Sequence, residues 1–202
     1  MSLFSPTKGY STLDFQSNSN TRITTSASGK THRRKVGAQS WTLKIQSPAM
    51  SKDDFLADYS FIVQQDGQFG SFTIVPPEIG STRGTATGTV TVVDDSTILP
   101  LHDNSRGSAS IGVSGGNGIL KKGDLIKFSN HDKVYMLTAD CNLDGSTVDT
   151  LTFHPPLVTG VDTSTIQYTS VPLKVFMDTD TVKFITQTDG TYKYELVLNE
   201  EI

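Results

Sequence analysis

The sequence predicts a mainly β protein: a discontinuous β-sandwich domain with one short helix, interrupted by an inserted small β-barrel or sandwich module. Three observations carry this reading. The 202 residues include 27 threonines and 22 serines, about a quarter of the chain, with 17 glycines and eight prolines spread along it. Apolar residues recur in short alternating runs bounded by Gly, Pro, Asp and Asn, the pattern of half-buried strands. Apolar residues at helical spacing are convincing in one place, residues 51–66.

Residues 1–20 are rich in Ser, Thr and Asn without sustained periodicity, which predicts a polar arm that orders only against a partner. From Thr21 the chain becomes strand-like. Trp41, Leu43 and Ile45 alternate with Thr42, Lys44 and Gln46, so the three apolar side chains share one sheet face. Pro48 closes that strand. Ser51 then offers an N-cap oxygen, with Asp53 and Asp54 in the first turn and Asp54 at the capping-box position. Phe55, Tyr59, Ile62 and Val63, with Leu56 beside them, form a stripe expected to be core, and Gly67 is placed to end the helix.

A strand over 69–75 stops at Pro76-Pro77, and a later one over 150–153 stops near Pro155-Pro156, because proline cannot donate to a ladder. Residues 81–171 read as a separate β module. Its strands are expected over 89–93, 98–101, 125–128, 134–137 and 150–153. Residues 112–118 are expected as a glycine-rich loop, with turns at Gly123-Asp124 and Asp144-Gly145. Strands over 173–177, 182–185 and 192–198 follow, with Asp189-Gly190 making the last hairpin turn. Residues 21–80 hold too few strands for a closed core, and residues 172–202 hold strands without a helix. The two are therefore expected to form one domain around the insertion.

The formal charge is −4, but it is unevenly placed. Residues 1–50 carry seven Lys/Arg against the single acid Asp14, so the remainder is strongly acidic. Lys30, His32, Arg33, Arg34 and Lys35 form a basic run without interleaved aromatics, and the pI is about 5.5. That disfavours nucleic acid as a partner and favours Lys30, Arg33, Arg34 and Lys35 as a subunit interface facing an acidic surface on a neighbouring copy. No run approaches the roughly 18 apolar residues of a membrane span. The start lacks the apolar region of a secretory leader, so synthesis in the cytosol is expected.

No catalytic, metal or cofactor site is expected. Asp140, Asn142, Asp144 and Gly145 match the first half of a calcium loop, but Leu151 stands where the bidentate Glu belongs. Ser114 lies in Gly112-Val113-Ser114-Gly115-Gly116, which suits a flexible loop better than a nucleophile site, with His32 or His102 as its only conceivable bases. The four histidines, His32, His102, His131 and His154, show no short ligand spacing. Asp94-Asp95 and Asp178/Asp180 read as turns or solvated edges, and Cys141 has no flanking base. A glycan platform in the insertion would need Tyr135, Phe128 or Tyr168, each expected in the core.

Three segments in order resemble a known family. Arg33-Arg34 leads into the Trp41 strand, Pro48 and Met50 precede a short helix, and Phe61-Ile62-Val63-Gln64-Gln65-Asp66-Gly67-Gln68-Phe69 precedes Phe72-Thr73-Ile74-Val75-Pro76-Pro77. With Tyr192-Lys193-Tyr194-Glu195-Leu196 near the end, the chain resembles the belt-forming domain of distal tail and related baseplate proteins of tailed bacteriophages, over roughly residues 22–80 and 172–202. The 120–128 stretch resembles, more weakly, β modules inserted in phage structural proteins. The resemblance implies a non-enzymatic virion protein of the tail tip, made in the host bacterial cytoplasm. It implies a ring, commonly a hexamer, that joins the tail tube protein to the baseplate hub protein and carries peripheral proteins. The insertion would then face a fibre or receptor-binding protein. A tube-terminating or head-to-tail joining ring, and a glycan-binding module of an adsorption apparatus, are the alternative readings.

Overall fold

The computed structural model describes residues 2–77, 79–94, 96 and 103–202. The protein is mainly β, with seventeen strands and one α-helix among the described residues. It divides into two compact units, Met1–Phe72 with Val175–Ile202, and Thr73–Lys174.

The first unit is built on a seven-stranded sheet. Its path runs β1 (Leu3–Phe4), β6 (Ser71–Ile74), β15 (Leu173–Met177), β17 (Tyr192–Glu200), β5 (Ser40–Gln46), β2 (Thr12–Asn18), and β16 (Phe184–Thr186) also pairs β17. β5 lies between β17 and β2, both antiparallel to it, with Leu43 opposite Leu198 on one side and Phe15 on the other. As its alternation predicts, Trp41, Leu43 and Ile45 are buried while Lys44 and Gln46 are exposed.

Residues 12–18 overturn the expectation of a polar arm, because they are the seven-residue strand β2, paired with β5 along its length. An edge strand needs only backbone bonds on one side and one half-covered face, so polar residues suffice there. Phe15 supplies the cover, stacking on Trp41 at a centroid distance of 4.6 Å and an interplanar angle of 19°.

The helix α1 (Lys52–Gln64) begins as its capping residues predict. Ser51 Oγ accepts from the Asp54 backbone N–H at 3.3 Å and donates to the Asp54 carboxylate at 2.9 Å. After the helix the chain reverses through Asp66 and Gly67, both with positive φ. A Cβ on Gly67 would stand 2.6 Å from the Asp180 carboxylate, so this position needs glycine for space as well as conformation.

The buried face of α1 differs from the predicted stripe. It consists of Phe55, Asp58 and Ile62, with Tyr59 half-buried, whereas Val63 is 53% exposed and Leu56 is exposed too. At about 100° per residue, Val63 lies roughly 105° from the mean direction of Phe55, Asp58 and Ile62. A buried polar residue on it, Asp58, hid its true orientation from a count of apolar positions.

Between β2 and β5 the chain forms a separate antiparallel hairpin, β3 (Thr21–Thr25) and β4 (Thr31–Lys35). All ten strand residues are exposed.

The second unit is a closed barrel in the order β10 (Leu125–Phe128), β11 (Val134–Leu137), β13 (Asp149–His154), β8 (Ser110–Ser114), β7 (Val90–Val92), β14 (Thr165–Gln167). β14 pairs with β10 and closes the ring. A two-stranded ribbon, β9 (Gly118–Leu120) with β12 (Cys141–Leu143), stands beside it in the topology. The interior is a single apolar cluster including Val90, Ile111, Val113, Phe128, Tyr135, Leu151 and Phe153. Residues 110–114 correct the expectation of a loop over 112–118. Ile111 and Val113 are fully buried, and glycine density masked their alternation. The strand expected over 98–101 lies outside the described residues.

Candidate interaction surface

The β3–β4 hairpin concentrates the basic run. Arg22, Lys30, Arg33, Arg34 and Lys35 fall within residues 21–35, which contain no acidic residue. The register places Arg22 directly opposite Arg34, Ile23 opposite Arg33, Thr24 opposite His32 and Thr21 opposite Lys35. One face therefore presents Arg22, Thr24, His32 and Arg34, and the other presents Ile23 among Arg33 and Lys35. Like charges directly opposed across a ladder are unfavourable, and an isolated two-stranded hairpin is marginal in water. Among the described residues, no carboxylate pairs with any of these cations. Ile23 and Val36 are also exposed, at 62% and 60%.

Acidic groups lie on the main sheet of the same unit. Asp14 stands opposite Lys44 and Glu195 opposite Gln46. A groove of about 190 Å3 runs along Thr12, Asp14, Lys44, Gln46 and Glu195. A second, of about 360 Å3, is lined by Met177, Thr179, Thr181, Lys183, Glu195 and Val197.

The other candidates that the structure describes lie in turns, strands and the core. Asp140 accepts from Lys121 Nζ at 3.0 Å and from the Lys122 N–H at 2.7 Å, and these bonds hold its carboxyl below the usual range. Asp144 accepts from the Ser146 and Thr147 N–H groups, and bonds to Thr147 above all bring its carboxyl down to about 2. The half calcium loop is thus a strand end and an Asx turn. Among the described residues, no three His, Cys, Asp or Glu side chains group to hold a metal. Calcium addition is expected to leave the thermal midpoint of the full chain unchanged within 1 °C by calorimetry, and an upward shift that EDTA reverses would restore the loop as a site.

Cys141 is buried, and burial pushes its thiol up to about 11. Ser114 lies in the β7–β8 ladder opposite Thr91, and His32 is on β4, while His102 and Asp95 lie outside the described residues. Asp94 accepts from the Ser96 N–H at 2.7 Å. Asp178 accepts from Asn199 Nδ2 at 2.7 Å and Asp180 from the Gln68 N–H at 3.0 Å, which ties the loop after β15 in place. Tyr135, Phe128 and Tyr168 are core residues of the barrel. Among the described residues, no helix is long and apolar enough to cross a membrane.

No protein-family model and no curated protein matches the chain.

One buried polar cluster is absent from the sequence-based expectations. Asp58, buried on α1, accepts from the Thr7 N–H at 3.0 Å, from Thr7 Oγ1 at 2.7 Å and from the Tyr194 hydroxyl at 3.0 Å. Burial, with the Asp58 charge alongside, raises the phenols of Tyr10 and Tyr194 above their ordinary range. Lys8 reaches Asp54 at 3.5 Å, and Phe4 stacks on Phe61 at 5.1 Å. Residues 3–10 are therefore strapped along the helix. The signal that pointed to this was an acid three residues after Phe55, inside an apolar stripe.

Proposed function

We propose that the chain is a structural virion protein of a phage tail tip, forming a ring that joins the tail tube to the baseplate hub. In this reading it is not an enzyme. The observation that carries the reading is the fully exposed cationic hairpin, β3–β4, whose opposed Arg22 and Arg34 lack a carboxylate partner among the described residues. A hairpin of this kind gains most from an anionic neighbour, and the acid-bearing sheet of a second copy supplies one through Asp14 and Glu195. In a closed ring each subunit offers different surfaces to its two neighbours, so a basic projection and an acidic face on one chain are complementary. The discontinuous first unit then serves as the belt-type domain, and the inserted barrel carries a fibre or receptor-binding protein.

Light scattering during size exclusion tests this. The chain is expected to associate toward a multiple near six of its 21.9 kDa mass at low salt. It should dissociate as ionic strength rises, since exposed pairs are screened beyond a Debye length of about 8 Å at physiological salt. The double change Arg33→Glu and Arg34→Glu should leave a folded monomer at low salt. Salt-independent mass, or a variant that assembles as well as the parent, would overturn the reading.

A further inference from the structure

The outer side of α1 carries an apolar strip of its own. At about 100° per residue, Lys52, Leu56, Ser60 and Val63 fall within about 80° of one another, and all four are exposed. Leu56 is 47% exposed and Val63 53%, one helical turn on either side of Ser60. The Ser60 hydroxyl donates to the Ala57 carbonyl at 2.8 Å, so covering it strands no donor. Phe184, 49% exposed, meets Tyr59 edge-on at 5.6 Å and widens the strip on one flank. Asp53 lies on the other flank, about 60° round from Leu56.

The ends of the strip carry opposite charges. Lys52 stands at its start, and Asp66 follows the C-cap Gln65 at its finish. Both are exposed and, among the described residues, neither has an ion-pair partner. The last turn of α1 holds no basic residue, so nothing within the helix offsets the partial negative charge of its final carbonyls.

We propose that this strip is an interface with a second copy of the chain, the two α1 helices packing antiparallel about a two-fold axis near Ser60. In that register Leu56 of each copy meets Val63 of the other, and Lys52 of each reaches the other's helix C-terminus and Asp66. A parallel pairing would set Lys52 against Lys52 and Asp66 against Asp66. With a rise of about 1.5 Å per residue, the antiparallel pairing keeps the two Lys52 about 20 Å apart, beyond a Debye length. Ser60, the small residue at the crossing, lets the axes approach to the roughly 8–10 Å of packed helices. The strip is far smaller than the about 20–30 residues a side of a standard interface. Its Kd is therefore expected at about 0.1–1 mM, and dilute chains do not pair through it. The contact is separate from the cationic hairpin and does not rest on the ring.

Disulfide trapping in the Arg33→Glu and Arg34→Glu background tests the contact independently of the hairpin. At about 0.5 mM chain and low salt, Ser60→Cys is expected to give at least about tenfold more crosslinked dimer on air oxidation than Gln64→Cys. In the proposed register the two Ser60 positions are about 1.5 Å apart along the axis and the two Gln64 positions about 13 Å, beyond the roughly 7 Å that a disulfide bridges. The one native thiol, Cys141, is buried. Adding Leu56→Glu, a change at an exposed position, should lower the Ser60→Cys yield to that of Gln64→Cys. Equal yields from Ser60→Cys and Gln64→Cys, or a Ser60→Cys yield that Leu56→Glu leaves unchanged, would overturn the proposal.

Discussion

Asp58→Ala is expected to destabilise the protein by about 3–5 kcal/mol, because it strands three donors at a buried point. The Thr7 N–H, the Thr7 hydroxyl and the Tyr194 hydroxyl all converge on that carboxylate. For a chain of this size the loss corresponds to about 6–20 °C in thermal midpoint. Asp58→Asn keeps one acceptor oxygen and should cost less than half as much. Hydrogen exchange should show residues 3–10 losing protection first, since the strap along α1 is what the carboxylate holds. A midpoint within 2 °C of the parent would mean that the strap is held by Phe4 and Lys8 instead.

The same cluster sets an alkaline limit. The Tyr10 and Tyr194 phenols are raised in the folded protein, so between the unfolded value near 10 and their folded values the folded state holds more protons. Their contribution is complete below about pH 10 and is lost as pH climbs beyond it. In Asp58→Ala that alkaline loss should be shallower, because the neighbouring charge that helps raise both phenols is gone.

Phe128→Ala is expected to cost about 3–5 kcal/mol in the barrel, the range for deleting a large buried aromatic that the surroundings only partly refill. Phe128 is fully buried and meets His131, Tyr135 and Phe153 at ring distances of 5.3 to 5.8 Å. Its loss opens a void where β10, β11 and β13 face one another. Amide exchange in those strands should rise together. Trp41, the single indole, lies in the other unit, so a tryptophan signal does not follow the event directly. A loss below about 1.5 kcal/mol, measured by denaturant titration with far-UV dichroism, would show that the barrel closes over the gap.

Much of the fold was legible in strand-length patterns. Trp41, Leu43 and Ile45 are buried against exposed Lys44 and Gln46 because one face of β5 is core, although Thr42 on the opposite face is buried as well. Residues 125–128, 134–137 and 173–177 coincide with β10, β11 and β15, each a short apolar run bounded by turn residues or proline. Strand β2 was illegible for the opposite reason. Its partner β5 supplies the backbone bonds, and Leu13 and Phe15 are only half covered, so the segment resembles a polar arm. Strand β8 was hidden by its glycines, although Ile111 and Val113 fill the barrel.

The candidate surface shows the same division. The basic run was visible in the chain, but the opposition of Arg22 and Arg34 follows from hairpin register, which a turn of several residues leaves open until the ladder forms. Asp58 looked like an ordinary helix residue. The partners of Asp58, Thr7 and Tyr194, lie 51 and 136 residues away, and no local pattern encodes such pairings.

Composition, alternation and turn chemistry therefore settle that this chain is β-rich, interrupted by a second β unit, and basic at its start, since each rests on neighbours a few residues apart. Folding alone decided which edge strands pair, which way α1 faces and which ionisable groups are enclosed. Those outcomes depend on contacts between segments distant along the chain, where burial and hydrogen bonding act on whole surfaces at once.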